Sequence, residues 1–216
     1  MEKVNRTVPW NEVANAVTHG LGTGLAIAAL VILVVCASIY GNVWHIVSFS
    51  IYGATLVILY LCSTLYHSFR HKKVKHFFRI LDHAAVFLLI AGTYTPFTLV
   101  TLRGPLGWSL FGVIWGLALA GVVFKVFFVD RFAVVSTIFY VVMGWLIIGT
   151  IRPLIRNMAP GGVLLLALGG ILYSAGVFFY ARTRNLFNHT VWHLFVLGGS
   201  ICHFFSILYY VLPLPS

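Results

Sequence analysis

Seven apolar runs dominate the chain, at about 19–40, 44–68, 81–102, 106–127, 132–151, 161–181 and 189–211. Each is close to the roughly 20 residues a helix needs to cross the hydrocarbon core of a bilayer. Within that core a helix pairs its own backbone polar groups, which lipid cannot do. The pattern predicts an all-α polytopic membrane protein, a single domain of seven transmembrane helices. Composition decides against a soluble alternative. Only 8% of the 216 residues are charged, against about 25% in a soluble domain, too few to build a water-facing surface. The first run is too long for the apolar core of a signal peptide and no small-residue cleavage site follows it, so it is expected to stay as a span. The connections Gly41-Asn42-Val43 and Arg103-Gly104-Pro105 are tight and imply antiparallel neighbours.

Loop charge sets the expected direction. Segments on the N-terminal side hold Lys3, Arg6, Arg70, Lys72, Lys73, Lys75, Arg79, Lys125, Arg131, Arg182 and Arg184, while the other side holds only Arg103, Arg152 and Arg156. Under the positive-inside rule the N-terminus is cytoplasmic and the C-terminus outside. Topology and anionic headgroups account for the net charge of +10, so it does not argue for nucleic acid. The Asn5-Arg6-Thr7 and Asn188-His189-Thr190 triplets fall on the expected cytoplasmic side and read as chance glycosylation matches. Cys36, Cys62 and Cys202 lie in apolar runs at unrelated spacings, the pattern of small buried hydrophobes rather than of disulfides or a thiolate metal site.

Polar side chains inside a membrane are costly and lean functional. Of four carboxylates, Glu2 and Glu12 precede the first span and Asp130 sits in a loop. Only Asp82 lies at the start of a span. Among nine histidines, His71 and His76 fall in a basic loop and His45 at the outer interface, where an amphipathic ring is ordinary. His189 and His193 stand four apart, one helical turn on one face, a spacing that suits two ligands of one metal ion but also arises by chance. Ser63 and His67 repeat that spacing near the end of span two, where a serine bonding its own helix and a headgroup-level histidine is the plain alternative. Topology adds an independent constraint, because Ser63, His67, Asp82, His189 and His193 all fall at cytoplasmic helix ends. Three histidines and one carboxylate at one depth form a zinc-type donor set. His203 is about 15 Å further along its helix than His193 and reads as a packed, hydrogen-bonded core residue. His83 points away from Asp82, and His19 reads as a structural contact at the cytoplasmic rim. Gly112-x3-Gly116 and Gly169-Gly170 are expected at close helix contacts, and Pro96 is expected to kink span three near mid-membrane.

The chain resembles the hemolysin III proteins of bacteria, within the progestin and adipoQ receptor family that includes the adiponectin receptors. The resemblance rests on Ser63-x3-His67, on Arg79-Ile80-Leu81-Asp82-His83 and on His189-x3-His193. It extends through Glu12-x2-Asn15-x2-Thr18-His19-Gly20, Gly92-Thr93-Tyr94-Thr95-Pro96-Phe97 and Cys202-His203-Phe204, and so covers essentially the whole chain. The central set is shared with alkaline ceramidases. The resemblance implies a bacterial cytoplasmic-membrane protein in which His67, His189 and His193 ligate zinc, Asp82 holds the metal-bound water and Ser63 supports the site. It lacks the long polar N-terminal extension of the receptor members, so hormone recognition is not expected.

Three protein ligands leave zinc's fourth position open, as in catalytic sites, and Asp82 stands where it would accept a proton. Ser63 and Asn188 are the expected orienting partners of the ligand imidazoles. The leading expectation is a zinc-dependent hydrolase of a lipid amide or ester, with membrane lipid as its substrate. A non-enzymatic sensor of membrane state with structural zinc is the alternative. A cytolytic pore ranks last, because the spans carry few of the polar groups an aqueous lining needs.

Overall fold

A computed structural model describes residues 9–182 and 185–213, and every regular element among them is helical. Seven helices are long and apolar enough to span a bilayer: α1 Trp10–Tyr40, α2 Val43–Ser68, α3 Lys72–Thr101, α4 Pro105–Phe128, α5 Ala133–Asn157, α6 Pro160–Ala181 and α7 Asn188–Tyr210. The predicted runs match them in number and order. Two starts differ. α1 begins at Trp10 rather than near residue 19, and α3 at Lys72 rather than near residue 81. Hydropathy marks where a helix meets lipid, not where it starts. Lysine and arginine are good helix formers, so the basic stretch after His71 is the first turns of α3 and not a loop.

α1 packs on α2 and α7, α2 on α3, α3 on α4, and α6 on α7. α3 is the most enclosed helix, followed by α2 and α7, while α1, α4, α5 and α6 expose most of their apolar surface. Leu21, Leu119, Phe127 and Val134, all more than half exposed, belong to that lipid-facing surface. The inner faces follow helical spacing. On α2, Phe49, Tyr52, Leu56, Leu59, Ser63 and His67 are buried in sequence. On α7, His193, Val196, Ser200, His203 and Ser206 are. Steps of three and four keep these residues on one face, which is why the polar residues at the helix ends point inward.

Small residues set how closely the helices approach. A methyl group at Gly92 of α3 would collide with Thr55 of α2, and one at Gly169 of α6 with His203 of α7. Gly170 lies near Trp145, but Gly112 and Gly116 have no neighbour within 4 Å. The expectation of a helix contact at that pair is corrected: α4 turns this face outward. Pro96 does distort α3, but five residues before its end rather than near mid-membrane. The next five residues, Phe97–Thr101, form a π-helical turn, a distortion expected where proline removes a backbone donor. Thr95 and Thr98 donate to the Ala91 and Tyr94 carbonyls around the break. α5 is interrupted by a 3-10 turn at Leu146–Thr150. There Tyr94 Oη accepts from the Ile147 amide at 2.8 Å and lies 2.9 Å from the Met143 and Gly144 carbonyls.

His45, in the first turn of α2, is buried. Asn42 caps α2 by accepting from the Trp44 amide, and His45 Nδ1 accepts from the Asn42 amide at 3.2 Å. That leaves its Nε2–H to donate to the Val211 carbonyl at 3.3 Å, tying the start of α2 to the end of α7. The three cysteines are free and half-buried.

Candidate metal centre

The end of α2 and the start of α7 bring together three imidazoles. His67, His189 and His193 each offer one nitrogen, and the three nitrogens all lie within 4.8 Å of one another. His67 and His193 are buried and His189 is half-buried. Their ring centroids are separated by 5.1 Å, 5.1 Å and 4.5 Å. The three histidines named from spacing, span topology and family resemblance therefore converge.

Hydrogen bonds fix which nitrogen His67 and His193 turn inward. Glu12 Oε2 lies 3.1 Å from His67 Nδ1 and accepts from Lys75 Nζ at 2.7 Å. A carboxylate only accepts, so Nδ1 carries the proton and Nε2 presents its lone pair. Thr18 Oγ1 donates to the Ala14 carbonyl at 2.9 Å, so it accepts from His193 Nδ1 at 3.3 Å. His193 Nε2 is then an acceptor, buried and without a partner. His67 Nε2 faces His189 Nε2 at 3.3 Å.

This donor set fits a metal ion. Two nitrogens on a tetrahedral zinc at 2.0–2.1 Å are about 3.3–3.4 Å apart, the spacing of the His67–His189 pair. A buried imidazole acceptor with no donor is costly, and a cation facing His193 Nε2 would remove that cost. Three neutral nitrogen ligands suit a transition-metal ion such as zinc, copper, iron or nickel.

Asp82 on α3 and Ser63 on α2 are both buried. Ser63 neighbours the carboxylate, and His67 lies within its electrostatic reach, but Ser63 Oγ forms no hydrogen bond. Asp82 also lines a cavity of about 180 Å³ that runs between α3, α5, α6 and α7. Its wall is almost wholly apolar, with Asp82 and His19 close to the histidine cluster and His203 farther along.

Several residues outside the named set complete the site. Glu12 and Thr18 orient His67 and His193, and Asn15 Oδ1 accepts from Thr190 Oγ1 at 2.5 Å. His19 is buried. It stacks on His193 with centroids 3.5 Å apart and 16° between planes, and neither of its ring nitrogens has a partner. Asn188 is corrected as an orienting partner, since its side chain donates to the Arg182 carbonyl instead. The signal lay in the Glu12-x2-Asn15-x2-Thr18-His19 motif, whose steps of three and four put these residues on one face of a helix that leads into the first apolar run. His203 sits as expected, with Nε2 3.1 Å from the Leu166 carbonyl.

Comparison with known proteins follows the same outline. The family model described as Haemolysin-III related matches residues 8–204. The chain is 54% identical over 217 residues to "Hemolysin-3" of Bacillus cereus, covering 100% of this chain and 99% of the relative. It is 52% identical over 204 residues to "Hemolysin-3 homolog" of Bacillus subtilis (strain 168), covering 94% and 96%. A more distant likeness, 28% identity over 216 residues, reaches "Monocyte to macrophage differentiation factor" of Homo sapiens, covering 96% and 87%.

Proposed function

The chain belongs to the haemolysin-III related family and is an integral membrane protein of the bacterial plasma membrane, and from that premise we propose that it is a zinc-dependent hydrolase of an acyl lipid. One observation carries this reading. Three imidazoles converge, and Asp82, a buried carboxylate within electrostatic reach of His67, walls an apolar cavity. A bound zinc ion would supply a Lewis acid that acidifies water and polarises a carbonyl.

The chain's own residues do the rest. Glu12 and Thr18 hold the tautomers of His67 and His193, with an acceptor facing the centre. Asp82, in the cavity wall, accepts a proton from water, with Ser63 as its polar neighbour. The apolar wall receives an acyl chain and excludes bulk water. Loop charge puts the site near the cytoplasmic face.

A structural role for zinc has its own support. α2 and α7 meet through side chains, with Tyr60 Oη donating to Ser200 Oγ at 2.7 Å and Tyr52 Oη to the Ser200 carbonyl at 3.4 Å. A shared ion would staple the same two helices. Metal analysis together with acyl-lipid turnover by the purified protein separates the readings. In a hydrolase, His189→Ala loses metal and turnover, and Asp82→Ala keeps fold and metal but loses turnover. Asp82→Ala with full turnover leaves the structural role standing. A pore ranks last, because the cavity lining is apolar where an aqueous path needs polar groups.

A further inference from the structure

A second concavity, of about 270 Å³, opens where the end of α2 meets the start of α3, and Tyr66, Arg70, Lys72, Lys75, His76 and Arg79 line it. Nearby carboxylates neutralise part of this charge. Glu12 takes Lys75, and Asp130 takes Arg79 with His76 3.6 Å away. Among the described residues no carboxylate pairs with Arg70 or Lys72. Cations that serve topology need only lie on one side of the membrane. These converge on one hollow. Several cationic donors around a concavity match the oxygens of a phosphate group, arginine as a planar fork and lysine as a point charge.

This hollow is joined to the histidine cluster through one atom. Glu12 Oε2, which accepts from Lys75 Nζ, also accepts from His67 Nδ1. Tyr66 forms the common wall, its ring 4.8 Å below Lys75 Nζ and 4.6 Å from the His67 ring. On its other side the cluster adjoins the apolar cavity through His19, which lines the cavity with Asp82 and stacks on His193. Cationic hollow, imidazole cluster and apolar cavity thus lie in sequence, in the order of the phosphate, acyl linkage and hydrocarbon tail of a phospholipid.

We propose that the hollow holds the phosphate of an anionic phospholipid, the headgroup at Arg70 and Lys72 and an acyl chain directed to the cavity. This deepens the lipid-hydrolase reading and rests on it only for the acyl end. Binding tests it directly. Protein purified in neutral detergent is titrated with tail-labelled phosphatidylglycerol, then challenged with unlabelled phosphatidylglycerol, with diacylglycerol, which has no phosphate, and with inorganic phosphate. Arg70→Gln with Lys72→Gln is compared with Arg131→Gln with Arg182→Gln, which removes the same charge from elsewhere on the same face. Phosphatidylglycerol competes and diacylglycerol does not. The first pair weakens binding about 10- to 30-fold, as expected for two lost cationic contacts, and the second leaves it unchanged, with metal content equal in all three proteins. Equal losses in both pairs, or competition by diacylglycerol, overturn the site. Competition by inorganic phosphate as strong as by the lipid reassigns the hollow to a free anion and overturns the lipid proposal. Intact selective binding without turnover of any lipid would remove the hydrolase reading and keep this one, whereas turnover of a neutral lipid without phosphatidylglycerol binding would do the reverse.

Discussion

Removing the Glu12 carboxylate is expected to weaken metal binding although Glu12 itself is not a ligand. Its Oε2 receives both His67 Nδ1 at 3.1 Å and Lys75 Nζ at 2.7 Å. In Glu12→Ala the imidazole loses the acceptor that fixes its tautomer and its rotation. No neighbour replaces it, because Asn15 Nδ2, 3.5 Å from the same nitrogen, is a donor and the distance is long for a bond. Loss of such an outer partner typically costs 10- to 100-fold in metal affinity, about 1.4–2.7 kcal/mol. Glu12→Gln retains a carbonyl acceptor but not the charge, so it falls at the lower end of that range. Competition for zinc between the purified variants and a chromogenic chelator measures the effect, with His67→Ala as the reference for loss of a ligand. Thermal unfolding of the metal-free proteins separates orientation from folding. Wild-type zinc affinity in a folded Glu12→Ala protein would refute the orienting role.

Gly169→Ala is expected to lower the unfolding temperature in detergent, because its methyl group meets the His203 ring and the Gly199 carbonyl; overpacking of this kind costs about 1–3 kcal/mol. Gly112→Ala, which meets nothing within 4 Å, is the matched neutral change. Tyr94→Phe leaves the Ile147 amide without its acceptor at the 3-10 turn of α5, a loss of about 1–3 kcal/mol read as faster hydrogen exchange at residues 146–150.

The number and order of the helices were legible in the chain, because a bilayer imposes a local rule: each span must be apolar over its own length. The clustered histidines were legible for a related reason. His189-x3-His193 and Ser63-x3-His67 are local spacings, and alternation of the spans puts both at one end of the bundle. Lengths of helix beyond the lipid were not legible, since nothing in hydropathy ends α1 at His19 or α3 at Leu81 once the chain leaves the apolar core. Only the packing of α1 against α2 and α7 decided that Glu12 would meet His67 and Thr18 would meet His193, contacts between residues 55 and 175 apart in the chain. The same packing buried His19, and the packing of α4 on α3 turned Gly112 and Gly116 outward. Which face of a helix meets which neighbour depends on how side chains of several helices interlock at once. Without water to drive apolar faces together, that choice leaves only a faint mark on the hydropathy of any single span.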